Sequence, residues 1–205
     1  MIHNVITSIA LKLDEFIKNK LSITDDAVIV SSLVDIKGNL NQDIENKISM
    51  FLLHIEEENL TRNATLKYSE GSCPPVTINI FVMFSAYFPN FNYVEALRYI
   101  SLVIEFFQNT RIFDDSNTPG LPERANKIST ELLHISFEEI NQLWGNIGAN
   151  YTPSVSYKFK HIIFDGESIS EDVPGIMGGS SKSNPLFNQI ASDAAKEIFK
   201  SEDEQ

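Results

Sequence analysis

Four histidines, one cysteine and a run of three glutamates are the side chains here that metal or acid–base chemistry would call on. His3, His54, His134 and His161 lie far apart, and none falls in an HExxH-like pattern. His54, His134 and His161 sit in expected strands, where an edge-exposed or hydrogen-bonded histidine is commoner than a ligand. Glu56-Glu57-Glu58 offers three carboxylates to a divalent ion, but consecutive residues at a strand end point in different directions, as a solvated charge run does. Cys73 stands alone, so it forms no internal disulfide and seeds no multi-thiolate zinc site. The run IMGGSSKSN invites comparison with a phosphate loop. That pattern needs glycine where Ile176 and Ser181 stand, and no apolar strand leads into it. Asn59-Leu60-Thr61, Asn63-Ala64-Thr65 and Asn150-Tyr151-Thr152 match the glycosylation sequon, which without a secretion signal is a chance match. No G-x-S-x-G elbow supports a serine hydrolase. The sequence therefore names no catalytic residue, no cofactor and no metal, and the expectation is a protein that is not an enzyme.

The elements that would position any site are clearer. The stretch Ser136 to Phe164 sets the pattern for the chain. Ser136 and Glu139 form a capping box, and Ile140, Leu143, Trp144 and Ile147 make one apolar stripe of a three-turn helix. Gly145 and Gly148, followed by Asn150, are expected to end it. After Pro153 the period changes to two, with Val155, Tyr157, Phe159, His161 and Ile163 expected on one side of a long strand. Trp144 reads as a core anchor rather than an interface hot spot, because it shares a stripe with Ile140 and Ile147.

Before this unit, Ile2, Val5, Ile6, Ile9, Leu13, Phe16, Ile17 and Leu21 predict a long amphipathic helix, with Lys12, Asp14, Glu15, Lys18 and Lys20 mostly off its apolar stripe. AVIVSSLV reads as a strand, and Asp35 to Glu45 as a polar loop. Lys47 to Glu56 is apolar on both faces, which suits a strand covered on each side. Pro74 and Pro75 precede VTINIFVMFSAYF, the clearest strand. Asn92 with Glu95 predicts a cap for a helix whose apolar residues, from Val94 to Phe107, spread around much of its circumference. This should be the most buried helix, or one sealed partly by another subunit. Ile128 to Ile135 reads as a further strand. The order gives an α+β (α/β-like) fold, a mainly antiparallel mixed sheet flanked by helices.

The whole chain has 205 residues, 42% apolar and 21% charged, enough for one substantial core over residues 1–165. Residues 166–205 differ in character: Gly/Ser-rich, then acidic, with a short amphipathic stretch from Phe187 to Phe199. Nine acidic residues stand against three lysines from Asp165 onward. That tail either reaches a neighbour or solvates the chain. A net charge of −12 opposes nucleic-acid binding and attraction to anionic membranes. The start, MIHNVITSIALKLDEF, lacks the features of a signal peptide, no run reaches a membrane span, and the lone cysteine fits a reducing compartment; the expectation is a soluble cytoplasmic protein.

Four pieces in order carry a resemblance. They are IHNVITSIALKLDEFI; MFLLHIEEENLTRN; the Pro-led strand PPVTINIFVMFSAYF with its following helix; and LLHISFEEINQLWGNIGANYTPSVSYKFKHIIF. Together they span roughly residues 1 to 165 and resemble the tail-terminator or cap proteins of extracellular contractile injection systems, of the antifeeding-prophage and Photorhabdus virulence cassette kind. The resemblance implies a fold like that of phage tail terminators. It also implies a homo-oligomeric ring of six, seated on the last layer of inner tube and sheath, with the sheath and inner tube proteins as partners. Assembly in the cytoplasm and membership of a released or membrane-docked phage-tail-like particle follow from the same likeness, as does no direct membrane insertion.

On that reading Asn59, Arg62 and Asn63 are candidates for a contact loop, or equally for a hydrogen-bonded turn. Tyr151, Ser154, Ser156 and Lys158 are candidates beside a strand edge, Ser154 to Lys160, that could accept a sheath arm by strand addition. The competing readings are another ring or adaptor of the same particle, on its baseplate side, and a small cytosolic hydrolase or ligand-binding domain.

Overall fold

A computed structural model describes residues 1–58, 76–89, 92–122 and 127–164. The described chain forms three helices, α1 (Ile2–Leu21), α2 (Tyr93–Asn109) and α3 (Phe137–Ile147). Its six strands are β1 (Val28–Val30), β2 (Lys47–Glu57), β3 (Val76–Tyr87), β4 (Ile112–Phe113), β5 (Ile128–Leu132) and β6 (Ser154–Phe164). They make one mixed sheet in the order β1-β2-β3-β6-β5-β4, parallel between β1 and β2 and antiparallel elsewhere. The expected α+β class, with a mainly antiparallel sheet flanked by helices, is the class observed.

One face of the sheet carries the main core. Val5, Ile9, Leu13 and Ile17, spaced at helical period, bring α1 down on Val28, Ile48 and Met50, and all four are fully buried. Beside it, α2 contributes Ala96, Ile100, Val103, Phe106 and Phe107 to the same cluster. The high phenylalanine content collects here. Phe107 stands 5.2 Å from Phe84, 5.0 Å from Phe106, 5.9 Å from Phe113 and 5.8 Å from Phe159, ring centre to ring centre, and 4.3 Å from Tyr157. The other face carries a smaller cluster, Leu33, Ile44, Met83 and Trp144, under α3. The capping box of α3 forms as its sequence requires: the Ser136 N–H donates to Glu139 Oε2 at 2.8 Å and the Glu139 N–H to Ser136 Oγ at 3.2 Å.

Several local expectations change in the folded chain. Gly145 lies inside α3, and Gly148, left-handed at φ 74°, ends it. Asn92 does not cap α2 with its side chain, because its backbone (φ −82°, ψ 34°) lacks the extended conformation that aims a cap at the third turn residue; Glu95 pairs with Arg98 instead. The deepest helix is α1 rather than α2, whose outer stripe stays open. AVIVSSLV yields only three paired residues before the chain turns away. Consequently β2 is covered on both faces only near Ile48 to Met50, and Leu52 and Ile55 are exposed. The fifth strand ends at Leu132, which puts His134 in the connector to α3. In β6 the alternation breaks at a bulge. Lys160 and His161 together oppose Asn79, His161 takes φ 68°, and Ile162 rather than His161 or Ile163 turns into the main core.

Candidate assembly surfaces

No three His, Cys, Asp or Glu side chains gather as metal ligands would among the described residues. All four histidines are exposed. Among the same residues no helix is long and apolar enough to cross a membrane.

Asn59, Arg62 and Asn63 lie outside the described residues, as does the tail from residue 165 onward. Tyr151 is exposed and stands edge-on to Trp144 at 5.4 Å. Ser154 is half-buried, with Oγ buried and unpartnered, whereas Ser156 is buried opposite Met83. Lys158 is engaged within the chain: its ammonium donates to Glu56 Oε2 at 2.8 Å and lies 5.0 Å from the centre of the Phe81 ring. The candidates Ser154, Ser156 and Lys158 are thus neighbours along β6, with Tyr151 in the connector before it, but they differ widely in accessibility.

The free edge expected at Ser154 to Lys160 is taken up from Ser156 onward. Strand β6 lies between β3 and β5, with Phe159 opposite Ile80 on one side and Thr130 on the other, and the Leu133 N–H donates to the Ser156 carbonyl. A strand whose backbone groups are paired on both sides has none left for an added strand. Sequence periodicity reports which face of a strand is apolar and carries no information on what lies beside it.

Two apolar surfaces stand open, one on the helix the sequence marked as buried or sealed by another subunit, the other unmarked in the sequence. On α2, Val94, Leu97 and Ile104 are 78%, 44% and 43% exposed, so the broad apolar circumference is only partly covered. Ile104 and exposed Leu132 of β5 line one shallow groove with Tyr157. On the opposite face, Phe51, Leu52 and Leu53 line a second groove with Leu143 and Ile147 of α3. The clue to the α2 surface was its excess of apolar positions over a single stripe.

Buried Asp14 is a further residue whose role the sequence hid. It lies on α1 and was placed off the apolar stripe, yet its Oδ1 accepts from the Ala27 and Val28 N–H groups at 2.7 and 3.0 Å. Its Oδ2 pairs with Lys18 at 2.7 Å. This one carboxylate fastens the first strand to the first helix.

Ion pairs thread the exposed end of the sheet. Lys158 reaches across from β6 to Glu56 of β2, Lys160 pairs with Glu131, and His161 Nδ1 lies 3.0 Å from Glu58 Oε2. Hydrogen bonds from Lys158 and Lys160 hold the Glu56 and Glu131 carboxyls below the usual range, and the Ser136 N–H does the same for Glu139. Each of these carboxylates is depressed in the folded chain. Each therefore adds stability above the ordinary carboxylate range and loses it as pH falls through the depressed values. The thermal midpoint should be level from about pH 8 to 6 and decline below about pH 4. A calorimetric midpoint that rises on acidification to about pH 3 would contradict this sign.

Comparison with known proteins agrees with this architecture. A family model for the Pvc16 N-terminal domain matches residues 4–176. The structure is similar to the PVC sheath/tube terminator of an extracellular contractile injection system in its extended state: TM-score 0.51, 16% identity, covering 94% of this chain and 70% of that one. It is similar also to the anti-feeding prophage cap, which terminates the tube: TM-score 0.52, 15% identity, covering 95% and 68%. No curated protein sequence matches the chain. At such identities the structural likeness is one of fold, and the family rests on the model that spans most of the sequence: the chain belongs to the Pvc16 N-terminal domain family.

Proposed function

We propose that this chain is a structural terminator of a phage-tail-like contractile injection system, ending the inner tube and sheath and coupling the two. The family match over residues 4–176 is the observation that carries the reading, and the shared fold with a sheath/tube terminator and a tube cap supports it. The role asks for no catalysis. It asks for a heterologous contact between identical subunits that closes into a ring, and for a face complementary to a tube end. In this reading six copies form the ring, residues 1–165 build it, and residues 166–205 form a separate acidic tail. The open stripe of Val94, Leu97 and Ile104 supplies apolar area for a subunit contact. Asn59, Arg62, Asn63 and Tyr151 are proposed contacts to sheath or tube. Assembly takes place in the cytoplasm.

Deleting the gene and imaging the particles by negative stain tests this. Tubes of unregulated length, or sheaths that detach or contract spontaneously, are expected. Particles of normal length with intact sheath, or a tagged chain located at the baseplate of otherwise complete particles, would overturn it in favour of an adaptor role. Light scattering on the purified chain, with and without residues 166–205, gives the oligomer. A mass of six copies that survives the truncation would place the ring contact in residues 1–165.

A further inference from the structure

Helix α3 is closed at both ends but held to the sheet by few side chains. Its two ends are closed locally, by the Ser136–Glu139 capping box and by Gly148 in the left-handed conformation. Among the described residues, every side-chain hydrogen bond made by α3 falls inside that box. One of its side chains is buried, Trp144 at 5% exposure, and the indole N–H of that side chain has no partner. An unpaired buried donor opposes the very contact that anchors the helix. Ile140, Leu143 and Ile147 are half-buried, and Phe137 is 81% exposed.

Unfilled space surrounds the helix. A groove of ≈ 380 Å³ is lined by Leu143 and Ile147 together with Phe51 and Leu52, and another of ≈ 330 Å³ by Glu139, Leu143, His54 and Phe81. A third opening of ≈ 230 Å³ sits at the C-terminal connector, bounded by Gly148, Asn150, Tyr87 and Leu33. Side chains facing such gaps lose dispersion contacts that a filled interface would keep. Helix α1 is the contrast. It buries four aliphatic side chains completely, fastens β1 through Asp14, and is tied to α2 by Lys20 and Glu105 at 2.6 Å.

From this juxtaposition we propose that α3 is a detachable flap: it leaves the sheet as a unit while the rest of the described fold stays intact, and so uncovers a latent apolar face. The pivots are well placed for this. The Leu133 N–H bonded to the Ser156 carbonyl fixes the chain before α3, and the Ala86 N–H bonded to the Pro153 carbonyl fixes it after. Motion is confined to the two short connectors between those anchors. Release exposes buried Met83 and further uncovers the half-buried Phe51 and Leu53, which α3 shares in the smaller cluster.

Hydrogen exchange followed by mass spectrometry on the full chain tests the flap, and it needs no partner, so its outcome is independent of the terminator role. An 11-residue helix is marginal once detached, so opening melts it and its amides exchange. Amides of α3 should exchange on the order of 100-fold faster than those of the buried turns of α1. Equal protection in α3 and α1 would overturn the proposal. Trp144→Ala should remove most α3 protection and leave α1 and β3 within about threefold of the parent. A uniform rise across all three elements would show that α3 and the main core open together, and would also overturn it.

Discussion

Replacing Phe107 by alanine should lower the unfolding free energy by about 3–5 kcal/mol, the usual cost of removing a buried aromatic ring. Phe107 is 3% exposed at the junction of α2 with β3 and β6, and its ring meets those of Phe84, Phe106, Phe113, Tyr157 and Phe159. No neighbour can swing in to fill the space without giving up its own packing, so most of the cavity should persist. For a chain whose whole stability is on the order of 5–15 kcal/mol, that is a large share. Urea unfolding followed by circular dichroism reads the change, and Val94→Ala on the exposed stripe serves as the comparison, with an expected effect within ~0.5 kcal/mol. A Phe107→Ala cost under ~1 kcal/mol would mean that the aromatic cluster does not hold the helix to the sheet.

Asp14→Ala should cost about 2–4 kcal/mol, because two buried backbone donors, those of Ala27 and Val28, lose the carboxylate oxygen that accepts from both. Lys18 keeps Asp26 as a partner at 2.6 Å, so the exposed ion pair is a minor part of the loss. The control is Asp14→Asn, which retains an oxygen at the accepting position and should recover more than half of the stability. If Asn proves as damaging as Ala, the charge rather than the hydrogen bonds fastens β1. If Ala is nearly neutral, β1 is held by the packing of Val28 against α1 instead. Both variants are read by the same urea titration. The Asp14 effect should appear with α1 and β1, and the Phe107 effect with α2, β3 and β6.

The two sites differ in how they could be foreseen. Phe107 sits in a helix whose apolar residues outnumber those a single stripe needs, and an excess of that kind is visible in a string of letters. Asp14 gives no such sign. Between Leu13 and Glu15 it looks like one more solvated charge on an amphipathic helix, and only the arrival of the chain 13 residues later turns it inward as an acceptor. The capping box of α3, the apolar stripe of α1, the long strand β3 and the start of β6 after Pro153 were all legible, because each depends on residues within a turn or two of one another. The separate fates of Ser156 and Lys158, one buried and one paired with Glu56 two strands away, were not.

By itself, then, the sequence determined the order and type of the main elements, their apolar faces and the α+β class, since side-chain direction along a helix or strand follows from local backbone geometry. The tertiary structure alone decided which strands are neighbours. It set β6 between β3 and β5 and so took up, from Ser156 onward, the edge expected at Ser154 to Lys160. It cut β1 to three residues beside β2, flipped the faces of β6 at His161, and left α3 standing on a single buried tryptophan. Pairing and register join residues far apart in the chain through backbone groups that every residue carries, so no local pattern of side chains can specify them.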